Sequence, residues 1–79
     1  MDYRQYIVRD PKICGGEPLV KGTRVTVRTI LASLAEGDSV QELLQAFPTL
    51  KEEDIRAIVA FAAASAEEDL PLQSVPDVA

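Results

Sequence analysis

At 79 residues, with one cysteine, no histidine and a net charge of −5, this chain has little from which to build an enzyme. A domain of this size buries only about 60% of the surface its unfolded form exposes, so it is marginal alone and needs a staple or self-association. Cys14 has no partner for a disulfide, and without histidine or a thiol cluster there is no zinc site and no common general base, so no catalytic residue, metal or cofactor is expected.

Tyr6-Ile7-Val8-Arg9 reads as a short strand, stopped by the turn-initiating pair Asp10-Pro11. Lys12 to Glu17 is loop around Gly15-Gly16. Pro18-Leu19-Val20 and Thr23-Arg24-Val25 are two further extended pieces about Lys21-Gly22, where glycine supplies the positive φ of a type II turn. The run from Gly15 to Thr23 has the composition of a phosphate-binding loop, but Lys21 precedes Gly22 where that motif needs it to follow. Pro18 also removes a backbone donor, and an extended piece follows instead of a helix N-terminus. A nucleotide site is therefore not expected.

From Val27 the apolar period changes from two to 3.6. Val27, Ile30, Leu31, Leu34 and Ala35 form one stripe, with Thr26 as N-cap and Gly37 as a left-handed stop, giving a helix over 27–36. Ser39 and Glu42 form a capping box for a second helix over 40–47, whose stripe is Val40, Leu43, Leu44 and Phe47 and which Pro48 ends. Thr49 and Glu52 offer another capping box for a third helix, 51–66, with Ile55, Ile58, Val59, Ala62 and Ala63 on its stripe. Glu52, Glu53 and Asp54 suit its first turn, whereas Glu67, Glu68 and Asp69 oppose the dipole at its end and predict fraying. The chain thus divides into an arm over 1–26, a three-helix body over 27–66 and a Pro-interrupted tail over 67–79. The four-residue link from Phe47 to Leu50 has the length of a helix-turn-helix turn but lacks its frequent glycine. A plain three-helix bundle is the alternative.

Residues 1–28 carry six basic groups against three acids, a net of +3, while residues 29–79 carry two against ten, a net of −8. Such asymmetry suits different partners at the two ends. The single cysteine and the lack of an apolar N-terminal segment predict a reducing, cytoplasmic setting. The apolar run that includes Ile58 to Ala64, beginning at Ala57, is too short to span a membrane.

The string from Asp10 to Val25, DPKICGGEPLVKGTRV, resembles the signature of the family catalogued as domain of unknown function 433. Ala35-Glu-Gly37, Ser39-Val-Gln-Glu-Leu-Leu44, Phe47-Pro48, Leu50 and Glu53-Asp54-Ile55 continue the resemblance in order, over roughly residues 6–64. It implies a mainly α fold, a three-helix homeodomain-like helix-turn-helix bundle preceded by a short N-terminal β-hairpin arm. It also implies an antitoxin of the VapB type from a bacterial toxin–antitoxin pair, with a PIN-like ribonuclease toxin as partner and operator DNA as a possible second one. A stand-alone helix-turn-helix regulator, or an adaptor that binds no DNA, is the alternative. Where the family often has Thr as the cap of helix three, this chain has Lys51, and Thr49 is expected to take that part.

Helix three presents three acids to any major groove, so Lys51 and Arg56 need help from Arg4, Arg9, Lys21, Arg24 and Arg28 to hold phosphate. Arg24 has a second reading, a structural ion pair with Glu17 or a helix acid. Leu70, Leu72, Val75 and Val78 in the tail either order against the toxin or belong to a frayed terminus. Glu67, Glu68 and Asp69 suit a nuclease's metal site or its basic rim. Strands as short as Tyr6-Ile7-Val8 are unstable as a lone hairpin and must pack on the helices or pair with another chain. Pairing between chains, and hence a homodimer, is the expectation.

Overall fold

The computed structural model describes residues 2–69; the tail positions Leu70, Leu72, Val75 and Val78 lie outside them. The chain enters through a 3-10 turn, Tyr3–Gln5, whose first turn is held by the Asp2 carboxylate accepting from the Arg4 N–H at 3.1 Å. Strand β1, Ile7–Val8, then pairs antiparallel with β2, Leu19–Val20, in the register Ile7 with Val20 and Val8 with Leu19. Val25 and Thr26 lie along the other side of β2: the Val20 N–H donates to the Val25 carbonyl at 3.0 Å, and Leu19 bridges Thr26. The strands therefore find pairing within the chain, which is the first of the two solutions their shortness allowed. Strand β1 also packs on the third helix, so the shortness of the strands no longer requires pairing between chains.

Three helices follow: α1, Val27–Ala35, α2, Val40–Ala46, and α3, Glu52–Asp69. The molecule is thus mainly helical with a small antiparallel sheet at its N-terminal end. The Thr26 hydroxyl accepts from the Thr29 N–H and starts α1. Gly37, at φ +102°, ends it: the Gly37 N–H reaches the Leu34 carbonyl at 3.0 Å and the Asp38 N–H reaches Ser33 at 3.1 Å, a Schellman closure. At α2, Ser39 and Glu42 complete the expected capping box at 3.1 and 3.0 Å.

Helix α3 departs from its expected ends. Thr49 does not cap it. Lys51 occupies the N-cap position, and its backbone N–H donates to the Asp54 carboxylate at 2.8 Å, so the acid at the third helical position carries the cap alone. At the other end the helix continues through Glu67 to Asp69, where fraying was expected. The reason is composition. Phe61 to Ala66 contains four alanines, the strongest helix former, whereas acids against the dipole cost only about 0.3–1 kcal/mol.

Val20, Val27, Ile30, Leu43, Leu50, Ile55 and Ile58 form one buried cluster between the three helices and the sheet. Burying side chains of this size contributes about 1.5–3 kcal/mol each. No charged or polar side chain is buried among the described residues. Three positions differ from the sequence reading. Val40 and Val59, placed on apolar stripes, are 37% and 50% exposed, while Ala57 is fully buried. The arm explains Ala57. It packs on α3 with the Tyr3 ring edge-on to Phe61 at 5.5 Å, so the covered face of the helix is turned toward the arm and away from Val59.

Candidate functional site

The turn between β2 and Val25 is closed by both backbone and side-chain hydrogen bonds. Gly22 sits at φ +81°, and the Thr23 N–H donates to the Val20 carbonyl at 3.0 Å. The Thr23 hydroxyl donates to the same carbonyl at 2.8 Å and accepts from the Val25 N–H at 3.0 Å. On the other strand, the Lys21 N–H donates to the Tyr6 carbonyl at 2.8 Å. Two exposed cations, Lys21 and Arg24, therefore flank a turn whose backbone is pinned on both sides.

The preceding loop is equally closed. Cys14, Gly15 and Gly16 all have positive φ, and the Gly16 and Glu17 N–H groups donate to the Ile13 and Cys14 carbonyls. Those donors are consumed within the loop and do not cradle an anion. The exposed Cys14 thiol donates to the Arg24 carbonyl at 3.6 Å, which ties this loop to the turn.

Glu17 does not pair with Arg24. It pairs with Arg28, at 2.8 Å. The Val27 N–H donates to the Pro18 carbonyl at 3.0 Å, which brings the first turn of α1 beside Glu17 and puts Arg28 within reach. Arg24 makes no ion pair among the described residues. It lines instead an open depression of about 620 Å³ together with Val8, Asp10, Ile13, Leu19, Gly22, Thr23 and Thr49. Thr49 belongs to the link between α2 and α3, so the cationic turn lies beside the turn of the two-helix unit.

The other cations are spread out. Arg4 is exposed on the first 3-10 turn, two residues before Tyr6. Arg9 follows β1 at the end of the sheet nearer Pro18, away from the Lys21 turn. Lys51 is exposed at the cap of α3, and Arg56 pairs with Glu52 at 3.3 Å. The structure brings Lys21 and Arg24 to one turn but does not gather all seven basic candidates into one patch. Of the three acids at the start of α3, Asp54 is used in the cap and Glu52 meets Arg56; Glu53 is exposed with no described partner.

Sequence reasoning missed a second surface. Val40 and Val59 line a groove with Ile55, Glu52 and Arg56, on the α2 side of the α3 N-terminus. They carry helical spacing like any core residue, so no local signal separates them from the buried stripe. The Tyr6, Ile7 and Val8 segment, read as a dimer edge, is half-buried here, and Ile7 packs against the core.

Among the described residues no helix is long and apolar enough to cross a membrane. Residues 7–62 match the family described as "Protein of unknown function (DUF433)". The chain is 44% identical over 62 residues to the uncharacterized protein y4eO of Sinorhizobium fredii, covering 78% of this chain and 28% of that protein. It thus spans well under half the length of this relative. The fold is similar to the crystal structure of a DUF433 member protein from Anabaena variabilis, with a TM-score of 0.74 and 31% identity, covering 85% of this chain and 70% of that one.

Proposed function

The chain belongs to the DUF433 family, and we propose that it acts as the antitoxin of a bacterial type II toxin–antitoxin pair. In this reading it binds and neutralises a PIN-like ribonuclease and contacts its own promoter DNA as a dimer, with the three helices serving as a homeodomain-like helix-turn-helix unit. The observation that carries the proposal is the pinned cationic turn beside the α2–α3 link, where Arg24 and Thr49 line one depression. A rigid turn with two exposed cations presents charge to phosphate at little cost in side-chain ordering, and phosphate neutralisation supplies most of the affinity for DNA. The tail from Leu70 is the proposed toxin-contacting segment.

A second reading, an adaptor that binds no DNA, is favoured by the start of α3. Its helical N-terminus carries Glu52, Glu53 and Asp54, and carboxylates face a phosphate-lined groove unfavourably. A stand-alone regulator stands between the two.

Co-expression with the product of a neighbouring reading frame that encodes a PIN-like protein tests the antitoxin reading. The two proteins are expected to co-purify, and growth inhibition by the neighbour to be relieved. Failure of both removes the reading. Retention of an upstream promoter fragment in a gel, at low and moderate salt and against competitor DNA, tests the DNA contact; equal competition by unrelated DNA removes it.

A further inference from the structure

Val40 and Val59, the large apolar side chains that stand exposed among the described residues, border the same groove. Ile55 lies between them, and Glu52 and Arg56 complete the lining. At about 240 Å³ and open to solvent, the groove is smaller than the roughly 300 Å³ at which small-molecule pockets begin. Its apolar side continues beyond it along α3. Ala63 and Ala66 follow Val59 at i+4 and i+7, on the same face of the helix, and both are exposed. From Ile55 to Ala66 this track is about 16 Å long, or three helical turns. Acids surround it in the sequence. Glu36, Asp38, Glu42, Glu52, Glu53, Asp54 and Glu67 stand against Lys51 and Arg56, and Arg56 is already matched by Glu52 at 3.3 Å.

We infer that this face docks a cationic amphipathic helix of another protein, apolar along one side and carrying lysine or arginine at its margins. An exposed apolar patch rimmed by polar residues is the form a protein-contact surface takes. A helix laid in a groove is held by anchors spaced i, i+3, i+4 and i+7, which is the spacing of the α3 track. The alanines at its far end let a second helix approach closely, and Val40 with Val59 supplies the bulk that fills the seam. Charge selects the occupant. An excess of acids attracts a basic segment and repels nucleic acid, and a second copy laid on the same face would bring the same acids against them. The inference goes beyond the antitoxin reading, which gives the protein partner to the tail, and it stands if that reading fails. Lys21 and Arg24 do not border this groove and stay available to phosphate.

The test is titration of the full, nitrogen-15-labelled chain with two synthetic helical peptides, followed by amide chemical shifts. One is a leucine–lysine heptad peptide, and the other has glutamate in place of every lysine. The leucine–lysine peptide is expected to bind saturably and to shift Val40, Ile55, Val59 and Ala63, whereas the leucine–glutamate peptide does not bind. Val59→Glu makes the chain more acidic and would strengthen a purely electrostatic association. Here it weakens binding by about tenfold or more, because an apolar anchor is lost. If that variant does not fold, Val40→Glu serves instead, since an acid suits the first position of α2. No binding, equal binding of both peptides, or shifts centred on the arm or on residues beyond Ala66 overturns the inference. Binding that both variants leave unchanged does the same. A chain already dimeric through this face, dissociated by Val59→Glu and blind to the peptide, assigns it to a second copy and also overturns it.

Discussion

Arg28 and Glu17 meet at 2.8 Å across the junction between the arm and α1, and this contact engages Arg28 rather than Arg24. Arg24, four residues earlier, is left to solvent. The pair is itself weakly stabilising. Its side chains are 81% and 39% exposed, and ion pairs in that setting are worth up to about 1 kcal/mol. Arg28→Ala is therefore expected to shift the urea midpoint only slightly, and the shift should shrink in high salt. A large, salt-insensitive loss would mean that Arg28 acts through packing instead.

Thr23 holds the cationic turn through two hydrogen bonds, one given to the Val20 carbonyl and one taken from the Val25 N–H. Thr23→Val keeps the shape and removes both. The half-buried Val25 N–H is left without that acceptor, at a cost of about 1–2 kcal/mol. For a domain this small, each kcal/mol moves the thermal midpoint by roughly 4–8 °C. Thermal melts that leave the midpoint within a degree of wild type would show that the turn is held by Gly22 and the strands alone.

Ile58 and Val59 are adjacent in sequence and opposite in environment. Ile58 is fully buried and Val59 is half-exposed. Ile58→Ala is expected to cost about 2–5 kcal/mol, enough to unfold a marginal domain near growth temperature. Val59→Ala is expected to stay within roughly 0.5 kcal/mol. Equal losses in the two variants, read from denaturant unfolding, would place Val59 in the core after all.

Glu42 gives the fold a pH dependence. Its carboxylate accepts from the Ser39 backbone N–H and interacts with the Ser39 side chain, and these lower its pKa from the ordinary value. A depressed folded-state pKa contributes stability that is fully present above the unfolded value, about 4.3, and is lost as pH falls through the lowered folded value. Glu42→Gln keeps an acceptor for the capping box but removes the charge. The gap between wild type and variant should be present near neutral pH and close below about pH 4. A gap that is constant from neutral to acid pH would exclude the capping carboxylate as its source.

The local signals in this chain were legible because their causes are local. Thr26, Ser39 with Glu42, and Gly37 fix helix ends through bonds that span only three to five residues, and all act as the sequence indicates. Gly22 turns the chain at positive φ for the same kind of reason. The cap of α3 was misplaced because Thr49 and Asp54 both suit a cap, and the Phe47–Leu50 turn settled the choice: the Leu50 N–H closes on the Phe47 carbonyl, and the helix begins only after it. Of the candidate site, the cationic identities of Lys21 and Arg24 were readable, but their place beside Thr49 was not.

By itself, then, the sequence determined three capped helices, a glycine turn between short extended pieces, and a basic arm joined to an acidic helical part. Tertiary structure decided that the strands pair with each other, that Glu17 takes Arg28, and that Ala57 is covered while Val59 is open. Those outcomes depend on which face of α3 the arm covers. That choice is made by contacts between residues far apart in sequence, such as Tyr3 with Phe61, and no spacing along the chain encodes it.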